Sequence, residues 1–505
     1  MPFALMGIAQ SSIYQTSWLA AGERNLSRGW IYPRSYLRLI SVMTAFAAVL
    51  TPLDSTIVSI SLPAIAKGVG ANYPEALWVP LGYLVALSSL LLPFGQLADL
   101  RSRRSVFTTG FAVFTVATLM CALSINPLEL DVWRVVQGAG AAMMLSTSGA
   151  IITETYPPWE RGKAFGYWSL AVYTGTTIGP VVGGAIISRP YLLGLPSWRW
   201  VFMVTVLPAL IGLTLSTAYL REGEHRGSGR LDVVGGLLAS VGLWSALLAV
   251  TLGSFIGWQP SYIAMLSAGV TTLFLFALWE ARLGSSALLD TAMFRSVPFS
   301  MGNLAALLNY SGYFFVPFFL SYYMIRVLGI RPYEASIPLL VLSLAMVTIA
   351  PLSGWASDRI GARPLATSGM ALIAVGLVLL SFLGLSSSVA DITWRTLLIG
   401  VGMGLFSSPN TASVMGSAPR ERLAVASATL SVMRFTGQSL SIAIAGALAA
   451  SYIPRQVLTE VFTGIAISQT GVSTLAFVEG LRHVYYVMAF LVALGGIASA
   501  MRGRR

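Results

Sequence analysis

Cysteine, histidine, lysine and acidic residues are all scarce in this chain. Its single cysteine, Cys121, excludes an intrachain disulfide and gives no basis for redox chemistry. The two histidines, His225 and His483, lie far apart in or beside loops, so no metal site and no nucleophile–base pair is expected. Lysine occurs only at Lys67 and Lys163, neither within a Walker A sequence, which argues against ATP-driven pumping by this chain. Enzyme signatures are absent, and no cofactor is expected. Charged residues make up 10% of the chain against 56% hydrophobic, far outside the range of soluble proteins.

What the chain has in abundance is apolar runs of membrane length. A helix needs about 20 apolar residues to cross the hydrocarbon core, and only internally hydrogen-bonded elements are stable there. Fourteen such runs are present, at roughly 40–63, 76–98, 105–125, 129–152, 163–187, 198–219, 232–252, 262–282, 298–322, 334–356, 364–385, 395–416, 424–449 and 481–501. The expected fold class is therefore an all-α polytopic membrane protein.

The net charge of +12 does not call for nucleic acid. With the N-terminus inside, 21 of the 31 Lys and Arg fall on cytoplasmic segments, eight fall in or next to outer loops, and Arg134 and Arg434 lie inside spans. That asymmetry is the positive-inside signature, and the basic loops face anionic lipid headgroups. Both termini are expected in the cytoplasm. Residues 1–22 lack a basic n-region, so a loosely ordered cytoplasmic tail, or an over-long start assignment, is expected rather than a signal peptide.

One stretch occurs twice. Gly95-Gln-Leu-Ala-Asp99-Leu-Arg-Ser-Arg103-Arg104 follows the second span, and Gly354-Trp-Ala-Ser-Asp358-Arg359-Ile-Gly361-Ala-Arg363 follows the tenth. If the tenth span is the second helix of a copied unit, that unit starts at the ninth. The chain then divides into a tail (1–38), a six-helix bundle (39–220), a polar linker (221–231), two inserted helices with a loop (232–297) and a second six-helix bundle (298–505). Duplication of this kind is how many secondary transporters build a site between two bundles. The nearly uncharged loop at 450–480 is expected outside and has no assigned task.

Few residues carry chemistry within the spans. Asp54 sits inside the first, two residues after Pro52, which disrupts the bond to the Ala48 carbonyl. A charge at that depth faces a cavity or a partner. Arg134 enters from the outer side to a similar depth, so the two can face each other as a proton or ion site; the competing readings are a purely structural pair, or Asp54 facing a lumen unpaired. In the fifth span Gly175, Gly179 and Gly183 share one face around Pro180, with Gly184 beside them, allowing close backbone approach. Arg434 lies near the midplane of the thirteenth span with no acid at comparable depth in the last six, so an anchoring role or a substrate contact remains open. Trp168, Tyr173, Asn309, Tyr310 and Tyr313 are candidate cavity residues, with packing as the competing reading. Gly400, Gly402 and Gly404 are not a dinucleotide fingerprint, because no strand precedes them.

From about residue 40 the chain resembles the major facilitator superfamily, in its fourteen-helix branch of drug:proton antiporters. The first-helix pattern LDxTIVxVxLP reads Leu53-Asp54-Ser-Thr56-Ile57-Val58-Ser-Ile60-Ser-Leu62-Pro63. The loop pattern GxLaDrxGRR matches at Gly95, Leu97, Ala98, Asp99, Arg103 and Arg104, with Ser102 in place of the second glycine. RxxQGxGaa is complete from Arg134 through Gln137, Gly138 and Gly140 to Ala142, and GxxxGPxxGG is complete from Gly175 to Gly184. Ser197–Phe202, Ser408–Thr411 and the Arg434–Gly437 pair also match. The resemblance implies a major facilitator fold with two inserted helices, alternating access, and export of small lipophilic molecules driven by proton entry. It implies proton coupling by Asp54 and Arg134, a cytoplasmic gate at Gly95, Asp99, Arg103, Arg104, Gly354, Asp358 and Arg359, and rocking around the glycine run. The expected partners are a small lipophilic substrate, protons and the lipids of a bacterial plasma membrane, with no nucleic acid; the sequence does not say whether a periplasmic adaptor is used. Export of an endogenous lipid, siderophore or metabolite is the alternative, and a transport-dead sensor a more distant one.

Overall fold

The computed structural model describes residues 32–503 except 72, 223–230, 284–286, 290, 450 and 454–473. Within them, fourteen helices are long and apolar enough to cross a membrane. The first six are α1 (Arg34–Val69), α2 (Tyr73–Leu100), α3 (Arg103–Leu123), α4 (Pro127–Thr155), α5 (Arg161–Ile187) and α6 (Ser197–Tyr219). The inserted pair is α7 (Val233–Ile256) and α8 (Pro260–Leu283). The last six are α9 (Val297–Tyr313, continued as Val316–Tyr322), α10 (Pro332–Ile360), α11 (Ala362–Leu380), α12 (Val389–Gly416), α13 (Leu423–Ala449) and α14 (Thr474–Ala500). A short hairpin, β1 (Tyr191–Leu192) and β2 (Leu195–Pro196), joins α5 to α6.

Local chemistry sets the ends. Gly70, in the left-handed region at φ 73°, closes α1. Asn126 caps α4 by accepting from the Glu129 N–H, Pro127 occupies the first turn, and Glu129 reaches back to the Ile125 N–H. The chain reverses at each short connection, so odd-numbered helices start at one face and even-numbered helices return to it. That face carries the start of α1, the end of α14 and both Gly-Asp repeats, and is called the basic face below.

Three differences from the sequence expectation stand out. Helix α1 starts at Arg34, just after Pro33, so the last residues of the expected tail are already helical. The ninth span is broken near Phe314 and then passes through a π turn at Tyr323–Val327. Pro317 explains the break, because it has no N–H to offer the preceding turn. Helix α14 is described from Thr474, ahead of the expected start at 481. His225, Arg226, Arg230 and most of the 450–480 loop lie outside the described residues.

In the first group α1 packs on α5 and α6, α2 on α4, and α3 on α4 and α6. In the last group α9 packs on α13 and α14, α10 on α12, and α11 on α12 and α14. The groups meet along a seam where α5 lies on α10 and both α2 and α4 lie on α13. Helices α7 and α8 pair with each other, and α7 rests on α2 and α13. Helix α8 leaves Val270, Phe274, Leu275 and Leu278 exposed, as a lipid-facing helix should.

Candidate functional site

Asp54 and Arg134 meet. Arg134 Nη1 donates to Asp54 Oδ2 at 2.6 Å, and both side chains are fully buried. Gln137, one turn on from Arg134 in α4, clamps the pair: its oxygen accepts from Arg134 Nη1 at 2.5 Å, and its amide donates to Asp54 Oδ1 at 2.8 Å and to Thr118 Oγ1 at 2.7 Å. Arg134 Nε donates to the Val79 carbonyl, and its guanidinium lies 4.5 Å over the Tyr83 ring. Every one of these partners belongs to the first six helices. The pair is sealed inside its own group rather than open to the seam. Removing one member would strand a buried charge, a change that costs about 3–5 kcal/mol.

The glycine run packs against this same region. A Cβ on Gly175 would strike the Val49 carbonyl and Pro52, one on Gly179 would strike Thr56 Oγ1, and one on Gly183 would lie 3.0 Å from Ile57 Cγ1. The run therefore seats α5 on α1 around Asp54, within one group and not across the seam. Gly184 faces open space and takes no part.

At the basic face, two carboxylates reach across the seam to helix N-termini, where unbonded N–H groups and the helix dipole favour anions. Asp99 of α2 accepts from the Ala424 and Val425 N–H groups of α13 at 3.1 and 3.0 Å. Arg103 braces it with bonds of 2.9 and 2.7 Å, and itself holds Glu154 at 2.9 Å and the Arg420 carbonyl at 2.6 Å. Asp358 of α10 repeats the arrangement, accepting from the Gly162 and Lys163 N–H groups of α5 at 2.8 and 2.9 Å. Gly95 and Gly354 let the backbones close: a Cβ on Gly95 would sit 2.9 Å from the Ala424 carbonyl oxygen, and one on Gly354 would strike the Gly162 carbonyl. Two of the expected gate residues lie beside the latches. Arg104 donates to the Thr217 carbonyl of α6 at 2.9 Å, and Arg359 stacks on Trp355 at 4.0 Å.

Farther into the seam, aromatic side chains surround Arg434. Its guanidinium lies 5.5 Å from the Trp168 ring of α5 and 5.9 Å from the Tyr310 ring of α9, and Nη2 donates to Thr411 Oγ1 of α12 at 2.5 Å. Trp168 is itself held by Ser148 at 3.0 Å. Tyr173 lies within electrostatic range of Tyr310, Tyr313 and Arg434, while Tyr313 turns its hydroxyl to Met346 Sδ. Asn309, next to Tyr310, is fully buried with neither end of its amide hydrogen-bonded.

Several polar residues that the sequence reading did not single out also prove to be buried. Glu280, near the end of α8, is 2% exposed and accepts from the Leu289 N–H at 2.7 Å. Asp232 caps α7 through the Gly235 N–H, accepts from Trp279 Nε1 at 3.1 Å, and gives its own N–H to Gln96 of α2 at 3.0 Å. Those bonds fasten the inserted pair to the helix that carries Asp99. Arg502 folds back onto the Asn410 side chain, where burial pushes its pKa down to about 9. The RxxQG motif already carried Gln137; Glu280 and Arg502 carried no local signal.

A family model described as Major Facilitator Superfamily matches residues 44–442. The tetracenomycin C resistance and export protein of Streptomyces glaucescens is 30% identical over 81% of this chain and 75% of its own length. The riboflavin transporter RibZ of Clostridioides difficile is 26% identical over 92% of this chain and 98% of its own. A solved double-tryptophan mutant of XylE superposes with a TM-score of 0.64 at 16% identity, covering 92% of this chain and 95% of that one. The chain belongs to the major facilitator superfamily and is a polytopic membrane transporter, not an enzyme.

Proposed function

We propose that the protein is a proton-coupled exporter of small lipophilic compounds that works by alternating access between its first and last six helices. The observation that carries this reading is the buried Asp54–Arg134–Gln137 node, a titratable acid held at membrane depth by a single cation. The basic face is read as cytoplasmic, with both termini there, following the distribution of arginine. On that assignment the latches at Asp99 and Asp358 hold the cytoplasmic side shut.

A proton arriving from outside neutralises Asp54 and releases Arg134. The resulting change in α1 passes to α5 through the glycine face, which leaves no slack between the two helices. Helix α5 presents its N-terminus to Asp358, so a shift along it strains the second latch. Because Asp54 is enclosed within the first six helices, substrate and proton need not compete for one carboxylate.

Relatives named for tetracenomycin C export and multidrug resistance favour a xenobiotic substrate. The riboflavin relative supports a second reading, export of an endogenous metabolite by the same machinery. The test is substrate export by inside-out vesicles under an imposed pH gradient. Asp54→Asn should abolish uphill export, by about a hundredfold or more if the coupling is worth about 3 kcal/mol, while Asp54→Glu keeps part of it. Uphill export by the Asn variant at the wild-type rate would overturn the mechanism.

A further inference from the structure

Arg434 is 9% exposed, yet among the described residues no acidic side chain pairs with it. Its Nε–H has no acceptor, and the Tyr173 hydroxyl opposite makes no well-formed hydrogen bond. A buried guanidinium without a counter-charge is costly, and two ring faces with one hydroxyl compensate only part of that cost. Arg134, the other arginine at membrane depth, is supplied with an acid, an amide and a carbonyl, although its Nη2 also lacks an acceptor. Arg434 has none of these. Its guanidinium stands instead at the seam, 5.5 Å from the Trp168 ring and 5.9 Å from the Tyr310 ring, which come from opposite groups, with its Nε–H unbonded.

Resting on the transporter reading above, we infer that Arg434, Trp168 and Tyr310 form a subsite for planar aromatic anions, with a carboxylate or phenolate oxygen on Arg434 and the ring system against the aromatic side chains. The guanidinium fork matches a carboxylate, and aromatic faces select flat apolar bodies. A cation is disfavoured by the same charge that attracts the anion. A neutral ring retains the stacking and loses the ion pair.

The test uses the purified full chain and three probes of one shape: 2-naphthoate, 2-naphthamide and 2-naphthylmethylammonium. Binding is read from tryptophan fluorescence and checked by calorimetry. The wild type should prefer the naphthoate to the amide by about tenfold or more, the range expected of one charged hydrogen bond, and the ammonium should bind most weakly. Arg434→Gln should erase the preference for the anion while amide binding stays within about twofold, and Arg434→Lys should restore part of it. Equal binding of acid and amide by the wild type would overturn the inference, as would absence of saturable binding by all three probes. A proportionate loss of all three in Arg434→Gln would mean that Arg434 only holds the helices together. Binding is measured without a pH gradient. A protein that discriminates among the probes and yet moves none of them would therefore fail as an exporter while keeping the subsite.

Discussion

The two latches at the basic face are copies of one device, fastened differently. In each, an Asp at the end of a second helix of its group reaches the N-terminus of a fifth helix across the seam. Asp99 is 2% exposed and sits in a charge network with Arg103 and Glu154. Asp358 is half-buried and has no such brace, since Ala362 stands at the register position of Arg103 and Arg359 lies on Trp355. The second latch instead brings two backbones together, glycine on glycine, with Ser408 donating to the Gly162 carbonyl at 3.0 Å. One latch relies on charge and the other on fit. The repeat conserved the carboxylate-to-helix contact and left the reinforcement free to diverge.

Charge removal should expose the difference most strongly. Asp99→Asn removes a charge that accepts from the Ala424 and Val425 N–H groups and holds Arg103 on the Arg420 carbonyl. The Asp99–Arg103 pair itself lies within one group and persists on opening, so only the bonds across the seam, about 2–3 kcal/mol, move the open–closed balance, by roughly thirtyfold to a hundredfold. Asp358→Asn weakens only a charge–dipole contact and its hydrogen bonds, worth about 1–2 kcal/mol or roughly tenfold. Spin labels at Ser105 and Arg363, which lie exposed in opposite groups, report the distance across the basic face. Equal shifts in the two variants would mean that the Arg103–Glu154 network contributes nothing to closure.

The ranking should reverse at the glycines. A Cβ on Gly354 meets the Gly162 backbone, which cannot retreat, and Ser408 Oγ at 2.6 Å. A Cβ on Gly95 meets Ala424 O at 2.9 Å and the Ala428 methyl at 3.0 Å. Gly354→Ala should therefore cost about 1–3 kcal/mol of closed-state stability, and Gly95→Ala less. Thermal unfolding in detergent, together with export rate, separates them. An equal or larger loss at Gly95 would show that fit matters at least as much in the first latch.

How far the sequence revealed these features depended on whether the physics was local. A charge at membrane depth faces a cavity or a partner, so Asp54 and Arg134, at similar depths, were legible as a candidate pair before their geometry was known. Both Gly-Asp repeats were legible as sequence, but the helix ends they cap come from the opposite group, and no local pattern points to Ala424 or Gly162. The meeting of Trp168 with Arg434 is equally non-local. Acids at span ends ordinarily meet headgroups, so Asp232 and Glu280 looked unremarkable until α2 and the Leu288–Leu289 turn covered them. Arg502 counted among the inside charges of a tail, yet it reaches Asn410. The break in α9 did carry a signal, Pro317, within a run that otherwise reads as continuous.

The smallest effect concerns one register position of the repeats, Ser102 in the first and Gly361 in the second. A Ser in a place usually occupied by glycine raises the question of the turn's geometry, because glycine tolerates positive φ far better. The backbone removes that concern: Ser102 is extended at φ −164°, and its hydroxyl caps α3 by accepting from the Ser105 N–H at 3.1 Å. Gly361 is the opposite case, at φ 86° and ψ 160°, a region essentially reserved for glycine. The same register position thus needs a cap in one copy and a glycine in the other. Gly361→Ser should cost about 1–3 kcal/mol in strain. Ser102→Gly restores the more usual residue and should cost only a few tenths of a kcal/mol, because glycine is itself a tolerated cap. Unfolding temperatures of the two single variants decide the matter. A gain in stability or export rate from Ser102→Gly would mean that the turn is strained after all, and that the two latches differ less than their backbones indicate.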